Sequence, residues 1–138
     1  MKYFVDTNIL IYAHDLKAGI KHERARLLLD QLWDSQQGVL STQVLQELAV
    51  NLRGRVHPPR STDEIRAVIH DYLSWEIFLN TPASILRALE IEKQYHLSFW
   101  DALLVQAAEG AGATTLYSED LNHGQKYGLV RVVNPLRA

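Results

Sequence analysis

Short apolar runs alternate with longer amphipathic stretches along the whole chain. KYFV is β-branched and aromatic and predicts a first strand, and TNILIYAH follows it with helical spacing at Ile9, Leu10 and Ala13. HERARLLLDQLWDSQQ repeats apolar residues at Ala25, Leu28, Leu29, Leu32 and Trp33, the stripe of an amphipathic helix, with Gly38 as its stop. GVL then predicts a brief buried strand. STQVLQELAVNL opens on a Ser/Thr cap and places Val44, Leu45, Leu48, Ala49 and Leu52 on one helical face. RGRVHPPR is basic and proline-broken, hence a loop, and Ser61 with Glu64 makes a capping box ahead of IRAVIHDYLSW. EIFLN predicts a strand, and Thr81-Pro82 opens a helix through ASILRALEIEKQYH. SFWDALLVQAAEGAG is a further helix closed by Gly110 and Gly112, and TTLYS and VRVVN complete the set as short buried strands.

Strands that alternate with helices imply an α/β fold with a mainly parallel sheet covered on both faces, because crossover connections lay helices there. No internal repeat, low-complexity tract or linker-like stretch interrupts the pattern, so positions 1–138 read as one domain. In such sheets ligands gather beyond the carboxyl ends of the strands. That is where chemistry is to be sought.

Composition removes several classes of function. The 138 residues are 47% hydrophobic and 22% charged, enough to bury a core unaided, and cysteine is absent. Disulfide frameworks, thiolate zinc sites and cysteine nucleophiles are therefore excluded, and a reducing cytoplasm is the expected location. No apolar run reaches membrane-spanning length and the first residues lack a secretory pattern, so no membrane role is expected. His14, His22, His57, His70, His96 and His123 include no H-x-H or HExxH pair, which argues against a histidine zinc centre. A formal net charge of −2 argues against indiscriminate polyanion binding while leaving room for local cations. Arg53, Arg55 and Arg60 in RGRVHPPR, and Lys17, Lys21, Arg24 and Arg26 around the second helix, are the candidates.

Four acids stand in apolar company. Asp6 falls at the end of the first strand, and Asp120 just after TTLYS, so both belong at one rim of the sheet. Glu47 lies in line with Val44, Leu48 and Asn51, beside the apolar stripe, and Asp101 is embedded in SFWDALLVQAA. Each has an ordinary explanation: Asp6 as a helix cap, Glu47 as a solvated helix residue, Asp101 paired with Ser98 in a capping box, Asp120 as a turn former. Together they can converge on one rim, where they would repel each other and raise each other's pKa unless a cation intervened. Hard divalent ions take oxygen ligands, so Mg²⁺ is expected, with Mn²⁺ as its substitute. Asn8 and the Ser118 hydroxyl are placed to orient the acids or to hold coordinated water.

FVDTNILIYA, STQVLQELAVNL, SFWDALLVQAA and LYSEDL, in that order and with those flanks, resemble the PIN-domain ribonucleases over essentially the full length. In size the chain looks like the VapC toxins of bacterial toxin–antitoxin pairs. The resemblance implies a three-layer α/β/α sandwich and a metal-dependent endoribonuclease whose acids fall on Asp6, Glu47, Asp101 and Asp120. Asn8 matches the asparagine of the family's DTN opening. Ser118 stands where the family more often has threonine, and Glu119 competes with Asp120 for the fourth acidic place. Asp6 and Asp101 are expected as principal metal ligands, with Glu47 and Asp120 completing the shell or binding a second ion, and the family's mechanism implies attack by metal-activated water to leave a 5′-phosphate and a 3′-hydroxyl. It also implies an RNA substrate, single-stranded or structured, a small antitoxin partner and a homodimer. Trp33 and Trp75 could form contact surfaces, but aromatic residues at helical spacing favour core.

Two rivals stand against this reading. Haloacid-dehalogenase-type phosphatases want a second aspartate where the chain has Asn8, and response-regulator receivers want an acidic pair that FVDTN lacks. A PIN-like module that binds RNA or protein without cutting, or a housekeeping PIN nuclease outside a toxin pair, is the other alternative.

Overall fold

The structure is a computed structural model that describes residues 1–137. Its elements follow in the order β1 (Tyr3–Val5), α1 (Thr7–His14), α2 (Ile20–Ser35), β2 (Gly38–Ser41), α3 (Thr42–Asn51), α4 (Thr62–Tyr72), β3 (Glu76–Phe78), α5 (Pro82–Tyr95), α6 (Phe99–Gly110), β4 (Thr115–Tyr117), β5 (Lys126–Tyr127) and β6 (Val130–Val133). The strands form one sheet in the order β3-β2-β1-β4-β6-β5, parallel throughout except for the β5–β6 pair. Helices cover it to make a three-layer α/β/α sandwich. α5 packs on α6, which contacts β2, β3, β4 and β6, while α1 packs against α2 and α3.

The strands are short, apolar and nearly inaccessible, as crossover burial requires. Phe4, Val5, Leu40, Leu116 and Val132 are fully buried, and Val39 almost so. The stripe anticipated on α3 closes on them through Val44, Leu45, Leu48 and Leu52, with Ala49 at its half-buried edge. From β1 the chain moves outward to β2 and β3 on one side and then returns to β4 on the other. The sheet therefore has its topological switch point between β1 and β4, the position at which parallel sheets open a crevice. In-register pairing of Val5 with Tyr117 sets the two following residues, Asp6 and Ser118, side by side at that crevice.

Several local expectations change in detail. Gly38 does not stop α2: the helix ends at Ser35 with Gln36 in the left-handed region, φ 59°, and Gly38 starts β2. Its role is steric. A Cβ there would sit 2.6 Å from Cε3 and 2.9 Å from Cη2 of Trp75, so only glycine lets the indole lie across the strand. Gly38→Ala should cost about 1–3 kcal/mol by overpacking. Urea unfolding would read this as a lower midpoint at unchanged slope, with part of the loss recovered when Trp75 is cut back to leucine in the same chain.

Gly110 is the last residue of α6, where a Cβ would meet the Phe78 ring, and Gly112, φ +78°, makes the turn beyond. β5, absent from the sequence reading, is a two-residue antiparallel return. It is too short for any periodicity to announce it. Trp75 is core at 8% exposure, whereas Trp33 remains 37% exposed at the rim of an aromatic cluster with Tyr72 and Trp75.

Candidate active site

Asp6 follows β1 and caps α1. Its Oδ1 accepts from the Thr7 N–H at 2.6 Å, and its Oδ2 accepts from the Ser118 hydroxyl at 2.7 Å. The Asp6 N–H itself donates to the Tyr117 carbonyl, which completes the link between the ends of β1 and β4. Only 8% of the residue is exposed, and Ser118 is fully buried. Burial pushes the Asp6 carboxyl up to about 7 despite the two hydrogen bonds that favour its charge, and the charges of Asp120 and Glu47 add to the rise. A carboxylate in that state lacks a positive partner, which is the condition a bound cation would relieve.

Glu47 is half-buried on α3, and its Oε1 accepts from the Thr7 hydroxyl at 2.8 Å. Thr7 therefore bridges two acids, through its N–H to Asp6 and its hydroxyl to Glu47. No spacing in the sequence singles Thr7 out, although its place in DTN puts a hydroxyl beside Asp6. Asp101 lies in the first turn of α6. The capping box expected with Ser98 forms only by half: Ser98 Oγ accepts from the Asp101 N–H at 3.1 Å, and the Asp101 carboxylate makes no return bond to the Ser98 N–H. That carboxylate is left for the cleft. Asp120 is exposed on the loop after β4; what burial it has raises its carboxyl, helped by the charges of Asp101 and Glu119 and opposed by Lys21.

Glu119, the competitor for the fourth place, turns away from the crevice. It accepts from the Tyr12 hydroxyl at 2.6 Å and pairs with Lys21 at 2.6 Å. Against the upward push of partial burial, these two partners hold its carboxyl below the usual range. Its charge is already answered.

Asp6, Glu47, Asp101 and Asp120 line one cleft of about 250 Å³, together with Asn8, Asn51, Arg55 and Trp100. The Oδ1 of Asn8 is buried there without a hydrogen-bond partner among the described residues. A donor set of carboxylate and amide oxygens, one carboxylate buried and uncompensated, fits a hard divalent ion and does not fit a soft one. Among the described residues no three His, Cys, Asp or Glu side chains are already grouped as metal ligands. Asp6 instead accepts from the Ser118 hydroxyl and Glu47 from the Thr7 hydroxyl.

The candidate cations sort themselves by their partners. Arg53 donates to the Thr62 hydroxyl, Arg60 to the carbonyls of Pro58 and His14, and Arg24 to the Leu136 carbonyl. Lys21 serves Glu119, and Arg26 lies near Asp30. Arg55 alone of the RGRVHPPR arginines lines the cleft. His123 accepts from the Asn134 N–H as a surface-loop residue. A second hollow of about 250 Å³ lies between α2 and α4, lined by His14, Arg26, Asp30, Trp33, Asp71 and Tyr72. Its acids are exposed and Asp30 is paired, so it lacks the uncompensated buried carboxylate that distinguishes the cleft at the switch point.

The model of the PIN domain family matches residues 3–129. The chain belongs to the PIN domain family. No curated protein matches it. Among solved structures, this PIN domain is similar to VapC20 of Mycobacterium tuberculosis, described as a sarcin-ricin-loop-cleaving toxin. That match has 22% identity and a TM-score of 0.68, covering 86% of this chain and 90% of that one. A toxin–antitoxin complex from Klebsiella pneumoniae matches at 21% identity and TM-score 0.70, covering 98% of each chain. VapBC of Salmonella typhimurium bound to DNA matches at 16% identity and TM-score 0.64, covering 96% of each. At these identities the likeness establishes the PIN fold over nearly the whole chain.

Proposed function

We propose that this PIN domain is a divalent-metal-dependent endoribonuclease, the toxin of a VapBC-type pair, with Asp6, Glu47, Asp101 and Asp120 as its acids and Mg²⁺, or Mn²⁺ in its place, as its ion. The observation that carries the reading is that acids from four separate stretches of chain line one cleft at the switch point, one of them buried without a positive partner among the described residues. The toxin–antitoxin complexes of the same fold support a small antitoxin as partner. A homodimer and a cytoplasmic location belong to the same proposal; among the described residues no helix is long and apolar enough to cross a membrane.

Asp6 and Asp101 are the principal ligands, and Glu47 and Asp120 complete the site. When bound, the ion supplies charge for a phosphate oxygen and a coordinated water of lowered pKa. Ser118 and Thr7 fix the Asp6 carboxylate, and Thr7 restrains Glu47 at the same time, so the acids approach from set directions. Asn8 offers its unspent Oδ1 as an acceptor for water or ligand N–H and O–H groups. Arg55 lines the same cleft as the acids and holds a substrate phosphate, the role that counterion-releasing arginines play in nucleic-acid binding. Hydrolysis leaves a 5′-phosphate and a 3′-hydroxyl, with no protein nucleophile.

The test is purified protein incubated with a panel of transfer, ribosomal and unstructured RNAs in Mg²⁺ or Mn²⁺. Cleavage that stops on adding chelator and resumes on restoring the ion is the expected result. Binding without cleavage under every ion would replace the nuclease by an RNA-binding PIN module. A short neighbouring reading frame whose product co-purifies and suppresses cleavage would establish the toxin pair, and its absence would make this a housekeeping nuclease.

A further inference from the structure

Trp100 does not belong to the core. It is 64% exposed at the start of α6, yet it lines the same cleft as the four acids, immediately before Asp101 in the chain. A large apolar ring kept in water loses the burial free energy it could have gained elsewhere, so its position calls for a reason. Two contacts bear on it. Phe99 packs against the indole edge-to-face with ring centroids 5.3 Å apart, and the buried Gln43 on α3 donates its Nε2–H to the Trp100 carbonyl at 3.3 Å. Ser98, the cap of α6, fixes the turn from which the ring projects. The remaining cleft lining is mostly polar, with Asn8, Asn51 and Arg55 around the carboxylates. Such a wall is poorly suited to an apolar protein face and well suited to a polyanion whose bases need a π-surface.

We propose that Trp100 is a stacking platform for one unpaired nucleobase of the substrate, next to the phosphodiester held at the acids, with Gln43 as the residue that positions it. The inference rests on the nuclease reading for its substrate and goes beyond it by naming the subsite that selects single-stranded over paired RNA. A base inside a duplex has both faces covered and cannot use the platform; an unpaired one in a loop or tail can. Purines, with the larger face, bind it better than pyrimidines.

Loss of one base–aromatic stack weakens single-strand binding by about 1–3 kcal/mol, or about 5–150-fold. The experiment titrates short single-stranded oligoribonucleotides into the protein with Ca²⁺ in place of Mg²⁺, following indole fluorescence, and uses the same series with each nucleotide in turn made abasic. The wild-type protein should show quenching and one abasic position that costs affinity as much as Trp100→Ala does. In Trp100→Ala that position should become silent, while Trp100→Phe should recover part of the affinity. In the cleavage assay Trp100→Ala should raise KM for single strands with little change in kcat, and leave the thermal midpoint within a few degrees. Gln43→Ala should move KM in the same direction by a smaller factor. Equal loss for every abasic substrate, or no loss at all, overturns the platform. So does a Trp100→Ala protein that changes only its sedimentation, which would assign the ring to an interface between protein chains. Quenching reads the platform even when no RNA is cut, so failure of the nuclease reading and failure of this one are separable.

Discussion

Asp6→Asn should abolish metal-dependent RNA cleavage, lowering the rate by at least about a thousandfold, some 4 kcal/mol of lost transition-state stabilisation. The substitution is nearly isosteric, and the local hydrogen bonds survive it. The amide oxygen can go on accepting from the Thr7 N–H, while the new NH₂ faces Ser118 Oγ, which turns from donor to acceptor. What disappears is the charge of the one buried acid among the four. Because that charge is buried and unpaired with any cation among the described residues, the variant should fold at least as stably as the wild type, so lost cleavage cannot be blamed on lost structure. Asp101→Asn should fall as far, since the Asp101 carboxylate is not spent on the helix cap. Ser118→Ala, which removes only the hydroxyl that orients Asp6, should lose about 10–100-fold. Glu119→Gln separates the two acids of the SED segment: with Glu119 committed to Tyr12 and Lys21, it should keep most of the activity that Asp120→Asn loses. Single-turnover cleavage at saturating Mg²⁺, with circular dichroism as the folding control, measures them all. A normally active Asp6→Asn enzyme would sink the ligand assignment.

Much of this site was legible because of how parallel sheets are wired. A strand-end acid at Asp6 and another just beyond β4 had to meet once β1 and β4 became neighbours, and the alternation of KYFV, GVL and TTLYS with amphipathic segments already implied a parallel sheet. The inward tilt of Glu47 followed from its alignment with Val44 and Leu48 on α3. The choice between Asp120 and Glu119 could not be made the same way, because it depends on Tyr12 and Lys21, brought there by the packing of α1 on α2. Gly38 misled for a related reason. Near a helix end glycine usually marks a left-handed cap, but here Gln36 takes that conformation and Gly38 makes room for Trp75, far downstream in the chain. The exposure of Trp100 was also hidden, since an aromatic beside an apolar run reads as core; only its place in the cleft lining, 64% exposed, distinguishes it. Arg55 could not be told from Arg53 and Arg60 until the backbone carbonyls and hydroxyls that engage the other two were placed.

The same buried carboxylate sets a pH dependence whose sign is opposite to that of an ordinary ion-paired aspartate. Folded and metal-free, Asp6 keeps its proton up to about pH 7, whereas in the unfolded chain it releases it near 3.8. Between these values the unfolded state has given up a proton that the folded state retains, so the stability contributed by this group falls as pH rises and is gone above about 7. The whole change amounts to at most about 4 kcal/mol. The raised carboxyl of Asp120 acts in the same direction. His14 opposes both: burial, with Arg60 adding to it, lowers its pKa to about 4, so it destabilises the fold as pH falls from the ordinary histidine value through that range. The wild-type curve is therefore flattened, and the informative quantity is the difference between wild type and Asp6→Asn. That difference should move in favour of the variant by several kcal/mol from about pH 4 to about pH 7 and stay level above. Adding Mg²⁺ should reverse it at neutral and alkaline pH, because an ion that binds only the folded, ionised site raises stability by mass action. The wild-type midpoint should climb with Mg²⁺ at about pH 8 and respond progressively less below about pH 7, while Asp6→Asn responds weakly throughout. Urea unfolding across this range, with and without the ion, supplies the measurement. A pH-independent difference curve would mean that Asp6 is ionised in the folded protein without a metal, and that some cation of the chain already answers its charge.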